Sequence, residues 1–502
     1  MMPMAQLPLV NISDLMTQSG VAFGTSGARG PVAAMTDAVC FAYTAAFLQH
    51  MASVGEFAPG TQVALAGDLR PSTPRILAAC AAAIQAQGGV PLFCGYVPSP
   101  ALALHAFSLK IPSLMVTGSH IPDDRNGIKF NRVAGEVLKP DEAGMKAQQV
   151  ALPAGMFDAS GALLNPQALP PVVDVSGAYV QRYVRFFGAA ALTRLRVGVY
   201  QHSAVGRDLL VTLLQALGAE VLVLGRSAAF IPVDTEAVRP EDVVLARQWA
   251  AEYGLDAILS TDGDSDRPLL ADERGEWLRG DVLGILCAHY LGAQCVATPV
   301  SSNTALEKSG WFAQTARTRI GSPYVIEAMQ AALDQGQQGV CGYEANGGFL
   351  LMSPLHVDGR ELASLPTRDA VLPMLAVLAR ARTLGCTVSA LLGALPARFT
   401  CSDRIQNFPT VLSQARLASM QTGSSAEQRQ AFENMFGVVS GTVRHLDATD
   451  GLRATFANEE VIHLRPSGNA PELRCYTEAL SAQRAAQINV AALGVLATWQ
   501  DA

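Results

Sequence analysis

The chain has 502 residues, of which 50% are hydrophobic and 16% are charged, and its formal net charge is −7. This composition excludes a disordered chain, and the length exceeds one ordinary hydrophobic core, so we expect three or four domains. The negative charge and the lack of a long basic run disfavour a nucleic-acid partner and an anionic membrane surface.

The cysteines and the apolar segments indicate the cellular compartment of the protein. Nine cysteines are scattered without paired spacing, which predicts reduced thiols and neither a zinc ribbon nor a disulfide framework. Residues 1–16 lack the basic stretch of a signal peptide. Residues 76–109 carry no Lys, Arg, Asp or Glu, but Gly, Pro and Gln divide them into pieces shorter than the about 20 apolar residues of a membrane span. We therefore expect a cytoplasmic protein that does not bind membranes.

Strand-like and helix-like runs alternate along the first part of the chain. Residues 63–66, 90–94 and 114–116 are predicted strands, and residues 74–86 are a predicted buried helix with Pro in its first turn. Continuous apolar strands separated by helices predict a parallel sheet that is covered on both faces. Residues 152–171, rich in Pro, Ala and Gly, are interpreted as a linker.

After this linker the alternation starts again and gives two further units. Their predicted strands and helices are residues 196–200, 205–217, 220–224, 240–253, 257–260, 296–298, 324–333 and 339–341. The end of the chain differs, because successive strands precede one amphipathic helix. These elements are residues 441–447, 451–456, 461–465, 472–478 and 481–499. We therefore predict three similar α/β units and a distinct α+β unit.

Three aspartates, Asp262, Asp264 and Asp266, alternate directly after a strand-like run. Magnesium prefers oxygen ligands, and carboxylates this close repel one another unless a cation compensates them. A single Asp-x-Asp pair would usually be a solvated acidic turn, whereas the triple set predicts a metal site. A calcium EF-hand is rejected although Glu273 stands at its twelfth position, because Arg267 stands at the sixth, where that loop needs glycine.

Ser119 lies in the segment VTGSHIP, residues 116–122, at the end of another strand-like run. Neighbouring side chains seldom face each other, so the adjacent His120 need not be its base, and no nucleophile elbow is present. Alone, the segment predicts a turn serine. The next residues return a cation, Lys129, to the same region. A hydroxyl that carries a phosphoryl group beside a metal-binding aspartate cluster would be a phosphoryl-transfer centre.

Two loops combine small residues with a charged or amide side chain. Residues 23–30 end in a cation, Arg29, and their glycines suit an approaching anion, although an ordinary glycine turn explains them equally well. Residues 342–349 place Glu344 and Asn346 on a turn, where they could bind sugar hydroxyls, but a plain hairpin is the simpler local explanation.

A last loop, RPSGNAP at residues 465–471, joins two predicted strands. Arginine, serine and exposed amide groups suit a terminal phosphate. The candidate phosphate-binding residues are Arg465, Ser467, Gly468, Asn469 and Arg474. A β-turn explains the Ser-Gly-Asn sequence but not the two flanking arginines.

Together and in this order, the loops resemble the α-D-phosphohexomutase superfamily over essentially the whole chain. Residues 117–122 resemble its phosphoserine loop, residues 262–267 its metal loop and residues 23–30 its N-terminal arginine loop. The resemblance implies an α/β fold of four domains around a central cleft, in which three similar α/β domains with mixed sheets precede a C-terminal α+β domain. The expected bounds are 1–171 with the phosphoserine loop, 172–272 with the metal loop, 273–396 with the sugar loop and 397–502 with the phosphate loop.

The resemblance also implies a mechanism and a role for each candidate residue. Phosphorylated Ser119 would pass its phosphoryl group to a hexose monophosphate, giving a hexose 1,6-bisphosphate whose other phosphate returns to the serine. Mg²⁺ would be held by Asp262, Asp264, Asp266 and a phosphoserine oxygen of Ser119. The residues expected near the transferring phosphoryl group and the acid–base work are Arg29, His120, Lys129 and Arg267. Glu344 and Asn346 would contact the sugar, and the last loop would hold the distal phosphate.

Two loops depart from the family pattern. Ala470 replaces a frequent Glu in the phosphate loop, and Glu344-Ala345-Asn346 replaces the Glu-Met-Ser or Glu-Gln-Ser of the sugar loop. We expect a phosphomannomutase that also acts on glucose phosphate, with phosphoglucomutase or phosphoglucosamine mutase as the alternative. A catalytically weak sugar-phosphate-binding regulator is the alternative from another class. We expect hexose phosphates as partners, hexose 1,6-bisphosphate as activator, and a monomer or weak homodimer.

Overall fold

The computed structural model describes residues 9–24, 26–467 and 471–499. The strands are β1 (Leu9–Asn11), β2 (Ala22–Phe23), β3 (Ala28–Pro31), β4 (Gln62–Gly67), β5 (Val90–Tyr96), β6 (Ser113–Val116), β7 (Arg125–Asn131), β8 (Gln149–Ala151), β9 (Arg196–His202), β10 (Glu220–Arg226), β11 (Ala257–Thr261), β12 (Pro268–Ala271), β13 (Cys295–Pro299), β14 (Gln314–Thr318), β15 (Val340–Tyr343), β16 (Phe349–Leu351), β17 (Leu355–Val357), β18 (Arg360–Leu362), β19 (Leu365–Asp369), β20 (Phe399–Gln406), β21 (Val443–Asp447), β22 (Leu452–Phe456), β23 (Val461–Pro466) and β24 (Glu472–Ala479). The helices are α1 (Ile12–Ser19), α2 (Asp37–Ser53), α3 (Thr73–Ala86), α4 (Ser99–Leu109), α5 (Lys139–Lys146), α6 (Ser176–Phe187), α7 (Arg207–Ala216), α8 (Pro240–Tyr253), α9 (Gly280–Tyr290), α10 (Ala305–Lys308), α11 (Ser322–Asp334), α12 (Val371–Leu384), α13 (Val388–Leu392), α14 (Thr410–Ser419), α15 (Ser425–Ser440) and α16 (Ala482–Ala497).

The first unit is built on a sheet of order β2-β3-β7-β6-β4-β5. Strand β4 pairs parallel with β5 and β6, whereas β7 pairs antiparallel with β6 and β3. The sheet is therefore mixed, and only β4, β5 and β6 form the parallel sheet that the apolar runs predict. The reason is the segment after β6, which turns back as β7 without an intervening helix.

The second and third units repeat this arrangement. Their sheets have the orders β10-β9-β11-β12 and β14-β13-β15-β16-β19. In each unit a central strand (β6, β11 or β15) pairs parallel on one side and is followed by a short turn into an antiparallel strand (β7, β12 or β16). The serine loop (residues 117–122) and the aspartate loop (residues 262–267) lie within the first two of these turns, and the sugar loop (residues 342–349) spans the third. The repeated topology therefore places the loops equivalently in the three units.

The fourth unit is an antiparallel sheet of order β20-β24-β23-β22-β21 with helices α14, α15 and α16. Strand β20 and helices α14 and α15 were not predicted from the sequence. β20 is mostly half-buried or exposed and lacks a clear apolar alternation, so its pairing with β24 along eight residues decides its conformation. Helix α15 does carry a local start signal, since Ser424 and Glu427 form a capping box.

The hydrophobic core connects the first three units and is separate in the fourth. One buried cluster extends through the first three units and includes Met115, Leu214, Leu283 and Leu375. The fourth unit packs a cluster of its own around Phe432. Among the described residues, no helix combines the length and the apolar character that crossing a membrane requires.

Candidate active site

The serine loop presents its hydroxyl to the aspartate loop. Ser119 is buried and adopts a left-handed backbone conformation with φ 58°, which is uncommon for a residue other than glycine. Its backbone N–H donates to Thr117 Oγ1 at 2.8 Å, which stabilises this turn. Its Oγ donates to Asp262 Oδ2 at 2.5 Å, so residues from the first and second units meet at this hydroxyl.

A buried arginine supports the serine loop from behind. The guanidinium of Arg70 donates through Nη2 to the carbonyl of Ser119 at 3.0 Å and to the carbonyl of Ile121. It also pairs with Asp68 and lies 4.1 Å from the centroid of the Phe230 ring. Arg70 lies in residues 67–73, which connect a predicted strand to a predicted helix. The strand-Gly-Asp-Leu-Arg pattern marks its position but not its contact with Ser119.

The aspartate loop brings three carboxylates together. One oxygen from each of Asp262, Asp264 and Asp266 lies within 4.8 Å of the others, and all three residues are buried. Asp262 Oδ1 accepts hydrogen bonds from the backbone N–H groups of Asp266 and Arg267, both at 3.2 Å. A Cβ at Gly263 would lie 2.5 Å from the Ser119 carbonyl oxygen, so this glycine permits the close approach of the two loops.

Cations lie close to this cluster, but they do not compensate its three carboxylates equally. Burial, reinforced by Asp264 and Asp266, raises the pKa of Asp262 to about 8. Although burial opposes it, the Lys129 ammonium lowers the pKa of Asp264. Lys129 Nζ lies 2.5 Å from both Asp264 Oδ2 and Asp266 Oδ2. Lys129, Arg267 and Arg368 therefore share the compensation of the three carboxylates. Arg267 lies 3.9 Å from Asp262 and Asp266, and Arg368 lies 3.1 Å from Asp266.

The aspartate loop fits a hard divalent cation. Oδ1 of Asp264 and Oδ1 of Asp266 are buried and accept no hydrogen bond from any residue that the structure describes. Ser99, at the start of α4, donates through Oγ to Asp264 Oδ2 at 2.5 Å and through N to the Asp264 carbonyl at 3.0 Å. Oxygen donors held in this way at short mutual distance are suited to Mg²⁺.

A group of cations surrounds the serine. Arg267 Nη1 lies 2.8 Å from His120 Nδ1, and because an arginine only donates, this nitrogen accepts and Nε2 carries the proton. Burial, followed by the charges of Arg267 and Arg29, lowers the pKa of His120 well below its ordinary value. Burial, with Arg267 and Arg368, lowers the pKa of Arg29 to about 10. The crowding of like charges indicates a site for an anion.

The sugar loop is buried beside this group. Glu344 accepts through Oε2 from Arg368 Nη1 at 3.2 Å, and Arg368 contacts Asp266 as well. Asn346 Oδ1 accepts from the backbone N–H of Gly348 at 3.0 Å, and its carbonyl accepts from Thr235 of the second unit. The structure thus links Glu344 to the aspartate loop through Arg368, a residue that no sequence motif marks.

The phosphate loop is less directly connected to the other loops. Arg465 Nε lies 3.0 Å from Asp450 Oδ1, and the other carboxylate oxygen of Asp450 accepts from the N–H of Ile320 in the third unit. Although burial opposes it, Tyr476 and Glu236 raise the pKa of Arg474. Ser467 is buried. The predicted residues Gly468 and Asn469 lie outside the described residues.

The buried His202, which contacts the strand before the aspartate loop, should make the folded protein less stable at acidic pH. Its Nε2 donates to the Thr261 carbonyl at 2.8 Å, and burial lowers its pKa to about 4. The unfolded chain takes up this proton near pH 6.5, so the contribution of His202 is complete above pH 6.5 and is lost as the pH falls toward 4. We expect a loss of about 3 kcal/mol in the free energy of unfolding, measured by denaturant titration.

The variant His202→Asn should take up about one proton fewer on unfolding in this pH window, so its free energy of unfolding should fall less steeply as the pH decreases. Asparagine keeps a donor and tolerates the backbone φ of 27° at this position. The control is Gln335→Asn, at an exposed position without a titratable side chain, and it should leave the slope unchanged. Equal slopes for the wild type and His202→Asn would contradict the prediction.

Fold and site together define the class of protein: an α/β phosphoryl-transfer enzyme whose serine lies beside a carboxylate cluster between domains. Models of the phosphoglucomutase/phosphomannomutase family match this chain domain by domain: the alpha/beta/alpha domains I, II and III at residues 20–149, 178–275 and 279–399, and the C-terminal domain at residues 416–494. The chain belongs to the phosphoglucomutase/phosphomannomutase family. The predicted superfamily, fold class and enzyme class, a mutase, are confirmed.

Individual relatives agree with this assignment. A phosphomannomutase of Salmonella muenchen is 44% identical over 482 residues, which cover 96% of each chain. A phosphomannomutase of Sinorhizobium fredii (strain NBRC 101917 / NGR234) is 43% identical over 478 residues, which cover 95% of this chain and 99% of the relative.

Solved structures show the same fold at lower identity. A phosphoglucomutase/phosphomannomutase family protein of Burkholderia thailandensis has a TM-score of 0.71 at 20% identity, covering 95% of this chain and 97% of its own. The N-acetylphosphoglucosamine mutase of Aspergillus fumigatus, solved in complex with GlcNAc-6P and magnesium, has a TM-score of 0.57 at 14% identity, covering 97% and 98%.

Proposed function

We propose that the protein is a Mg²⁺-dependent phosphohexomutase that interconverts hexose 1-phosphate and hexose 6-phosphate. Mannose phosphate is the main substrate and glucose phosphate a further one. The observation that carries the proposal is the 2.5 Å contact of Ser119 Oγ with Asp262, in a cluster of three carboxylates within 4.8 Å. The phosphomannomutase relatives support the choice of sugar.

In the proposed reaction, Ser119 starts phosphorylated. A P–O bond forms to the free hydroxyl oxygen of the hexose monophosphate while the bond from phosphorus to Ser119 Oγ breaks, and the hydroxyl proton passes to Oγ. The reverse step, with the other phosphate of the 1,6-bisphosphate, restores phosphoserine. Bound Mg²⁺, held by the three aspartates and a phosphoserine oxygen, would neutralise charge on the phosphoryl group.

The surrounding cations have two proposed tasks. Arg29 and Arg267 stabilise the charge on the transferring group by preorganised hydrogen-bond donors, which need no reorganisation during the reaction. Lys129 and His120 are assigned to the acid–base work, since the Lys129 ammonium and the His120 Nε2–H are donors that can supply a proton to the oxygen that the phosphoryl group leaves. At the far end, Arg465, Ser467, Gly468, Asn469 and Arg474 bind the phosphate that is not transferred.

The sugar loop offers one acceptor and one donor. Glu344 supplies a carboxylate oxygen, and Asn346, whose Oδ1 already accepts from Gly348, supplies its amide N–H. We propose that this pair binds two neighbouring sugar hydroxyls. The domain bounds 1–171, 172–272, 273–396 and 397–502 are proposed as the units that close around the substrate.

A coupled assay tests the proposed function. Phosphorylated protein with Mg²⁺ and a trace of hexose 1,6-bisphosphate is given mannose, glucose and glucosamine phosphates, and kcat/KM is compared. We expect mannose phosphate to be used best, glucose phosphate next and glucosamine phosphate least. Turnover of neither mannose nor glucose phosphate would contradict the proposal, and sugar-phosphate binding without serine phosphorylation would favour a regulator.

A further inference from the structure

Arg368, on β19, joins loops from three units although no motif marks it. It is 2% exposed. Its Nε and Nη2 both lie 3.1 Å from Asp266 Oδ2, and its Nη1 donates to Glu344 Oε2 at 3.2 Å. Its Nη2 also donates to Ser26 Oγ at 3.1 Å. One planar guanidinium therefore contacts the aspartate loop, the sugar loop and the N-terminal arginine loop at once.

The backbone that carries Arg368 is held on both sides. Glu136 of the first unit accepts from Thr367 Oγ1 at 2.8 Å and from Ser322 Oγ, at the start of α11, at 2.7 Å. On the other side, Asp369 accepts from Tyr179 Oη at 2.7 Å. These buried contacts restrict the positions that the guanidinium can reach.

The sugar loop is shaped to receive this side chain. A Cβ at Gly348 would lie 2.9 Å from Arg368 Cγ, so a larger residue there would displace the arginine. Arg368 occupies one oxygen of Glu344, which orients the carboxylate and leaves Oε1 for another partner. Through Nε it also orients Asp266, one of the three carboxylates of the cluster.

We infer that Arg368 is a positioning residue, which fixes the metal-binding aspartate loop and the sugar loop relative to each other and thereby sets both Mg²⁺ affinity and sugar selectivity. This inference rests on the proposed function for the roles of the two loops. A fork of donors in fixed geometry is required, because a lysine at this position would carry the charge but could not contact Asp266, Glu344 and Ser26 together.

The test is the charge-conserving variant Arg368→Lys in the full-length chain. We expect the Mg²⁺ Kd of unphosphorylated protein, measured by calorimetry, to rise about tenfold, as is typical when the partner of a metal ligand is lost. We also expect a higher KM and a mannose-to-glucose ratio of kcat/KM closer to one. The variant Ser26→Ala, which removes one partner of Arg368, should shift the Mg²⁺ Kd in the same direction by a smaller factor.

The matched control is Arg398→Lys. Arg398 is similarly buried and pairs with Glu478, and its Nε donates to Thr304, outside the candidate site. This control should lower Tm without changing the Mg²⁺ Kd or the sugar ratio. If Arg368→Lys likewise lowers only Tm, or if both variants shift the Mg²⁺ Kd equally, the inference is overturned.

Failure of the proposed function and failure of the inference about Arg368 give different experimental results. Wild-type protein that binds Mg²⁺ but converts no hexose phosphate would refute the proposed function, while a weaker Mg²⁺ Kd in Arg368→Lys would still support the role of Arg368 at the aspartate loop. Unaltered selectivity beside a weaker Mg²⁺ Kd would overturn the part that concerns the sugar loop.

Discussion

Replacing Ser119 by alanine is expected to lower the rate of hexose-phosphate interconversion by about a thousandfold or more. The proposed reaction needs an oxygen that carries the phosphoryl group, and alanine has none. Ser265, the serine of the aspartate loop, offers no substitute, because its Oγ accepts from the N–H of Gly206 at 3.0 Å and lies 2.8 Å from Thr261 Oγ1. The measurement is steady-state turnover, with the phosphoryl content of the protein determined by intact mass.

Loss of turnover must be separated from loss of folding. Ser119 has φ 58°, where alanine costs about 1 kcal/mol of backbone strain and glycine does not. The variants Ser119→Ala and Ser119→Gly should therefore be equally inactive but differ in Tm. The control is Ser113→Ala, which removes another buried hydroxyl of the same unit and should keep full turnover. Turnover within tenfold of wild type in Ser119→Gly would refute the carrier role of the serine.

Replacing Asp264 by asparagine is expected to weaken Mg²⁺ binding strongly and to lower kcat by about two orders of magnitude or more. The reason is that a bound metal ion contributes several kcal/mol of charge stabilisation to the transition state. Asparagine preserves the size of the side chain but removes one of the three negative charges. The change should be visible without catalysis, because Mg²⁺ should raise the Tm of wild-type protein more than that of the variant.

Metal removal provides the complementary measurement. A chelator should abolish wild-type turnover, and added Mg²⁺ should restore it. Asp272→Asn is the matched control: Asp272 is also buried, but it accepts from the backbone N–H groups of Arg274 and Glu276 and pairs with the Arg274 side chain, so turnover and Mg²⁺ binding should persist. Full turnover of wild-type protein in the presence of chelator would show that the aspartate cluster serves another purpose.

The serine, aspartate and sugar loops each follow an apolar strand. This local pattern located them as turns, whereas the roles expected of them came from the resemblance to the phosphohexomutase superfamily. The topology then explains why they belong together, since each is the turn from a parallel strand into an antiparallel one. The mixed character of the first sheet was not evident from the strand sequences themselves, because buried strands of either direction are equally apolar.

The missed elements have a common physical cause. β20 is a polar strand stabilised by its neighbour β24, so its own composition carries little signal. Arg70 and Arg368 were missed because an isolated arginine in a sequence is usually a solvated surface residue. Both are buried here only because acceptors from distant parts of the chain surround them.

Local order along the chain thus defined which residues are candidates for the chemistry: a serine after one strand, three alternating carboxylates after another, and a terminal loop between two arginines. These patterns are short-range, and strand and turn propensities act over a few residues. Tertiary structure alone decided how the loops meet. The contact of Ser119 with Asp262 and the link from Arg368 to Asp266 join different domains, and Arg368 also binds Glu344 within its own domain. Such contacts depend on how the buried faces of the domains pack, and no local pattern encodes that packing.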